Sequence, residues 1–179
     1  MSRVSRGTVA AAIPTIRIVV DEAERRLAAA GIEQPALEAA WLLEHAVGIS
    51  PLMQRVHAGR ELTVTESECM RILVSRRARR EPLQYVLGTQ EFCGKAFQVT
   101  PAVLIPRPES VLLVAEAVRR CANLPAATVV DVGTGSGCLA VSVALALPEA
   151  RVFAIDLSAE ALLVARRNMV QHACDARID

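Results

Sequence analysis

Through residues 1–81 apolar side chains recur at helical spacing, and short polar or glycine-containing joints separate the runs. Thr15 stands before a run through Val19, Val20, Ala23 and Leu27 that Gly31 ends, which predicts a helix with Thr15 as its cap. Pro35 suits the first turn of a second helix, which carries Trp41, Leu42 and Leu43 and stops at Gly48. Ser50-Pro51 opens a third that ends near Gly59. Thr65 with Glu68 three residues on has the form of a capping box ahead of Met70, Leu73 and Val74. Arg76, Arg77, Arg79 and Arg80 follow at the end of that fourth helix, and Pro82 halts it. Cations there suit the macrodipole and read as a solvated helix end, with contact to an RNA or an acidic partner as the alternative. Short joints between such helices predict a small antiparallel bundle.

From residue 82 the grammar changes. Tyr85, Phe92 and Phe97 fall close together, and Phe92 to Val99 is predicted as two short strands around a turn at Gly94. Pro106-Arg107-Pro108 forbids helix and ladder pairing locally, which predicts an extended loop. A helix is expected from about Pro108 to Ala122. Thr128 to Val132 is β-branched and predicts a buried strand, followed by the tight loop Gly133-Thr134-Gly135-Ser136-Gly137. Cys138 to Leu147 is an almost wholly apolar helix stopped by Pro148. Arg151 to Asp156 is a second strand, and Ser158 can cap a helix to about Gln171. This alternation predicts an α/β fold with a parallel sheet and a right-handed crossover. The organisation is a helical domain over 1–81, a β-hairpin linker over 82–107 and a βαβα segment over 108–179.

The 179 residues suffice to bury a core without disulfide support. An apolar fraction of 53% with 22% charged residues excludes disordered and fibrous classes. The net charge of +1 gives no global field to gather nucleic acid or anionic lipid, and five aromatic side chains are few for stacking bases. Direct nucleic-acid binding is therefore not expected. Cys69, Cys93, Cys121, Cys138 and Cys174 form no Cys-x-x-Cys pair, and His45, His57 and His172 lack metal-ligand spacing, so no metal site is expected. This usage suits a reduced, cytoplasmic protein. The longest uncharged apolar stretch, Cys138 to Leu147, is too short to cross a membrane. Residues 1–20 carry Arg3, Arg6 and Arg17 and no acid, faintly like a targeting segment, but Pro14 and Arg17 interrupt the apolar run, so no signal peptide is expected.

A glycine-rich turn after one strand, with an acid at the tip of the next, is the nucleotide-binding corner of a doubly wound sheet. Glycines let the backbone turn sharply and let a ligand approach main-chain atoms. Asp156, 23 residues after Gly133, can accept both hydroxyls of a ribose. A dinucleotide fingerprint requires Gly-x-Gly-x-x-Gly, and here Cys138 takes the place of the third glycine. The bland alternatives are a purely structural turn, Asp131 holding only the turn's amides, and Asp156 acting as a cap for the helix after it.

The form Asp131-Val-Gly133-Thr-Gly135-Ser-Gly137 resembles the first motif of S-adenosylmethionine-dependent methyltransferases. Upstream, Gln84-Tyr85-Val86-Leu87-Gly88, Glu91-Phe92, Gly94, Phe97 and Leu104-Ile105-Pro106-Arg107-Pro108-Glu109 resemble one subfamily, the protein-(glutamine-N5) methyltransferases of the HemK/PrmC type. That resemblance implies a helical substrate-docking domain, a hairpin linker and a class I, Rossmann-like methyltransferase domain. It implies S-adenosyl-L-methionine as cofactor and peptide chain release factors as partners, methylated on the glutamine of their Gly-Gly-Gln motif. It implies cofactor contacts from Gly133, Thr134, Gly135, Ser136, Gly137 and Asp156, with Pro106, Arg107 and Glu109 walling the channel or forming a structural corner.

Two departures stand out. The family has Thr and Glu after Arg-Pro-Glu, where this chain has Ser110 and Val111. The family's substrate clamp, Asn-Pro-Pro-Tyr, does not occur in this chain, so no catalytic residue is assigned within it. At about 25 residues per βα unit the clamp is due roughly near position 206. The chain therefore reads as the N-terminal part of a methyltransferase, inactive alone, with an open sheet edge that favours self-association. The competing readings are a module that binds cofactor or release factor without turnover, and a relative of nucleic-acid adenine-N6 methyltransferases.

Overall fold

The computed structural model describes residues 14–179. Residues 1–13, with Arg3 and Arg6 of the basic N-terminal stretch, lie outside the described residues. The chain divides into two compact units, one up to Leu87 and one from Gly88 to Asp179.

The first unit is helical: α1 (Ile16–Ala29), α2 (Pro35–Val47), α3 (Pro51–Val56), α4 (Val64–Ala78) and α5 (Leu83–Leu87). Its core gathers Ile16, Leu27, Leu42, Leu43, Leu62 and Met70, all essentially removed from water. Pro35 occupies the first turn of α2, and Gly48 ends it with φ of 71°, where a side chain would be strained. Thr15 sits at the N-cap position of α1, but its hydroxyl caps nothing. Backbone pairing replaces it: Ile16 N–H donates to the Arg60 carbonyl at 2.9 Å, and Leu62 N–H to that of Pro14 at 2.9 Å. The capping box lies two residues before its expected place. Glu66 N–H donates to Thr63 Oγ1 at 3.2 Å, and Thr63 N–H to Glu66 Oε2 at 2.8 Å. Both Thr63 and Thr65 precede a Glu by three; Glu66 also receives Arg60 at 2.7 Å, while Glu68 turns to Arg71 instead.

The arginine cluster is a solvated helix end only in part: Arg79 and Arg80 are exposed, whereas Arg76 and Arg77 are drawn into ion pairs. Arg77 holds Glu38 of α2 through two bonds, at 2.5 and 3.1 Å, with both side chains largely buried. Arg76 grips Glu81 at 2.5 and 2.9 Å and the Tyr85 carbonyl at 2.9 Å. Arg80 reaches the Ala30 carbonyl at 3.1 Å. These guanidinium groups tie α4 to its neighbours because a planar fork can satisfy a carboxylate and a carbonyl together.

The second unit begins with a hairpin of β1 (Thr89–Phe92) and β2 (Lys95–Gln98), paired antiparallel with Phe92 opposite Lys95. Cys93 and Gly94 both have positive φ, 49° and 70°, the backbone of a tight hairpin turn. Phe92 and Phe97 bury their rings edge to face, 6.2 Å between centroids. Arg107 is extended, and a 3₁₀ turn over Pro108–Ser110 leads into α6 (Val111–Cys121). Then come β3 (Thr128–Val132), α7 (Cys138–Ala146), β4 (Arg151–Ile155) and α8 (Ala159–Gln171). β3 and β4 pair in parallel, Thr128 with Arg151 through Val132 with Ile155. Ser158 caps α8, accepting from Ala161 N–H at 3.1 Å.

On the other edge of β4 the chain returns in the same direction. Val152 N–H donates to the Arg177 carbonyl at 3.0 Å, and Ala154 N–H to that of Asp179 at 2.7 Å. β4 is thus flanked on both sides, whereas β3 has one strand neighbour among the described residues. β3 is accordingly not the buried strand that its β-branched content suggests. Val129, Val152 and Ala154 pack on the core with Val141 and Ala144, but Val130 and Val132 are 52% and 79% exposed on the other face. Composition tells that a strand is apolar; what covers each face is a tertiary matter.

Candidate functional site

The loop between β3 and α7 is built by three glycines with positive φ: 76° at Gly133, 55° at Gly135 and 77° at Gly137. A Cβ at Gly133 would meet nothing within 4 Å, so the outer side of that turn is open. A Cβ at Gly137 would lie 3.2 Å from the Cα and Cβ of Ala165, so this glycine lets α8 approach the start of α7. Gly133 and Thr134 N–H both donate to the Ile155 carbonyl at the end of β4, at 2.7 and 3.0 Å. The buried Thr134 hydroxyl donates to Asp131 Oδ2 at 2.7 Å. Asp131 therefore anchors the loop through a hydroxyl rather than through the turn's amides.

Asp156 closes the arrangement from the tip of β4. Its Oδ2 accepts from Gly135 N–H at 2.9 Å, and its Oδ1 from Ser158 N–H at 2.9 Å. These amides, Ser158 first and Gly135 next, hold its carboxyl below the ordinary carboxylate range, so it is charged near neutrality. Each oxygen retains a further lone pair for an outside donor. The helix-cap alternative is partly realised: Asp156 supports the turn into α8, but the cap proper is Ser158. Beside the loop, burial pushes the Cys138 thiol up, so it stays protonated.

The structure thus draws Gly133, Thr134, Gly135, Ser136, Gly137 and Asp156 into one hydrogen-bonded corner. Pro106, Arg107 and Glu109 are placed differently. Pro106 is buried, Arg107 and Glu109 are exposed, and among the described residues no hydrogen bond joins them to the loop.

Asn168 on α8 escapes a sequence reading focused on glycines and acids. It is fully buried. Its Nδ2 donates to the Ser136 carbonyl at 2.8 Å and to the Gln98 carbonyl at 3.0 Å, and its Oδ1 accepts from Gln98 N–H at 2.7 Å. The available signal is phase: Ala161, Val164, Ala165, Asn168 and Met169 share the buried face of α8, so an amide stands where a hydrocarbon is expected.

Among the described residues no helix is long and apolar enough to cross a membrane. Residues 19–88 match the PrmC N-terminal domain, and residues 112–179 match the ribosomal protein L11 methyltransferase (PrmA) family. A release factor glutamine methyltransferase of Geobacter sulfurreducens is 48% identical over 158 residues, covering 88% of this chain and 55% of the relative. Proteins of the same name from Chlorobaculum tepidum and Moorella thermoacetica are 43% and 42% identical, covering 82% and 92% of this chain and 52% and 58% of themselves. The chain spans about half the length of the curated relatives it matches. The upstream motifs and these matches agree, and together they support a HemK/PrmC-type protein, N-terminal part.

Proposed function

We propose that the full-length protein transfers a methyl group from S-adenosyl-L-methionine to the side-chain amide nitrogen, N5, of the Gly-Gly-Gln glutamine in peptide chain release factors. The segment 108–179 supplies the cofactor half of that site within a class I, Rossmann-like domain. The observation that carries this reading is the glycine corner locked by Asp156 at the end of parallel strands. The release factor glutamine methyltransferases of Geobacter and Chlorobaculum support the substrate.

The residues fit the cofactor. The turn at Gly133 is open on its outer side, and a charged, partly exposed carboxylate stands at the same end of the sheet. Bound there, S-adenosylmethionine supplies a methyl group already activated on a sulfonium sulfur, so the protein's task is alignment. Gly133 to Gly137 bring backbone close to the ligand's amino-acid end. Asp156 accepts from the ribose hydroxyls with the lone pairs that Gly135 and Ser158 leave free. Pro106, Arg107 and Glu109 wall the approach. Asn-Pro-Pro-Tyr, the clamp for the acceptor amide, does not occur in residues 1–179, so this chain by itself does not turn over.

The test is turnover with labelled cofactor by the full-length protein on a release factor carrying Gly-Gly-Gln and on one carrying Gly-Gly-Glu. Label is expected in the first alone, and Gly135→Val should abolish it with the fold retained, because a β-branched side chain restricts φ and fills ligand space. Equal labelling of both substrates would overturn the glutamine reading.

A further inference from the structure

We propose that Asn168 is a positioning residue, whose side-chain amide locks the glycine loop to the end of the hairpin so that the two hold the cofactor as one rigid piece. This rests on the cofactor reading above. A fully buried amide is costly unless its donors and acceptor are met, and here three bonds meet them. One partner, Ser136, lies inside the loop; the other, Gln98, closes β2. Fixing the Ser136 carbonyl fixes the peptide plane shared with Gly137, whose own N–H donates to the Thr134 carbonyl at 2.8 Å. The contact of Gly137 with Ala165, one turn before Asn168, holds the same stretch from the same helix. Asp156 secures the front of the loop at Gly135, and Asn168 secures its back at Ser136. Gln98 also binds Gln171 through its side chain at 3.0 Å, so α8 grips both backbone and side chain of that residue. The loop thereby keeps its ligand-free shape close to the one it needs, which reduces what binding must order.

The experiment compares the full-length parent with Asn168→Ala, Asn168→Asp and Gly135→Val, at a temperature below every melting transition. Calorimetry with S-adenosylmethionine gives Kd, and turnover on a release factor gives kcat and the cofactor KM. Asn168→Ala should raise Kd and KM roughly tenfold, the size of one or two lost hydrogen bonds, with kcat at saturating cofactor within about twofold of the parent. A residue that serves stability alone would lower the active fraction, and so kcat, and leave KM unmoved; that split overturns the proposal. In Asn168→Asp a carboxylate faces two carbonyl oxygens, which raises its pKa, and only its protonated form can donate to one of them. Its cofactor affinity should recover relative to the parent as pH falls from about 8 to about 5.5. Parallel pH profiles would count against the role. Should both Asn168 variants fail to fold, amide exchange in the unmutated protein decides: cofactor should slow exchange at Gln98, and no change there refutes the coupling. Gly135→Val separates the two readings. Unaltered affinity in that variant refutes the cofactor loop itself, whereas lost affinity there with unaltered affinity in Asn168→Ala refutes only the positioning role.

Discussion

Asp156 holds the glycine loop and, on the proposed cofactor reading, also meets the ribose, so one substitution bears on both. Its oxygens receive Gly135 and Ser158 amides, and the residue is only partly buried. Asp156→Ala should weaken S-adenosylmethionine binding to the full-length protein by about 1.5–3 kcal/mol, the range for hydrogen bonds to a charged acceptor. Titration calorimetry checks this, and unchanged affinity would remove the ribose role. The same residue makes a pH prediction. Its folded pKa lies below the ordinary value of 3.8, so its contribution to stability is present above about pH 4 and fades as pH falls through the folded value. The stability gap between parent and Asp156→Ala, read from denaturant midpoints, should therefore narrow below pH 4 and stay constant between about pH 6 and pH 8.

At the scale of elements, helix α4 shows how one cap is chosen from two equivalent sequence patterns. Thr63 and Thr65 each precede a glutamate by three residues, and the structure uses Thr63, whose partner Glu66 is shared with Arg60. Arg60 holds Glu66 below the ordinary carboxylate range, so the cap stays ionised. Thr63→Ala should cost about 1 kcal/mol, and Thr65→Ala within about 0.5 kcal/mol of nothing. Equal losses at the two positions, in chemical denaturation of the chain, would contradict the observed box. At the far end of α4 the fork of Arg77 on Glu38 joins two helices through residues 39 positions apart in sequence. A solvated terminal arginine has no such duty, so Arg77 is committed to packing while Arg79 and Arg80 remain exposed.

At the scale of the whole molecule, the two units divide the proposed work. The segment up to Leu87 has its own core and its own ion pairs. We propose that it docks the release factor, since a single glutamine on a loop offers little surface for recognition. Deleting it should raise KM for an intact release factor far more than for a short Gly-Gly-Gln peptide, and equal effects on both would argue against docking. Residues 108–179 hold the proposed cofactor corner and lack the Asn-Pro-Pro-Tyr motif, so purified residues 1–179 should show no methyl transfer. With one edge of β3 unpaired among the described residues and Val130 and Val132 exposed, the same sample should self-associate. Light scattering and labelled-cofactor turnover test both points; a monomer that methylates the glutamine would overturn them.

Much of this molecule was legible in its residues alone. Hydrophobic spacing with Gly31, Gly48, Gly94 and Pro148 placed the elements, because backbone punctuation is local chemistry. The glycine loop and Asp156 could be read as one corner because their spacing follows from the length of a βαβ unit. Three things were decided only by the tertiary structure. Which threonine caps α4 depended on where Arg60 arrived. Whether Arg76 and Arg77 were solvated depended on Glu81 and Glu38 coming within reach. The Asn168 bridge depended on residues 70 and 32 positions away meeting one buried amide. Periodicity along the chain fixes which face of an element is apolar, but the partner that a polar group finds belongs to packing, and packing is set by the whole chain at once.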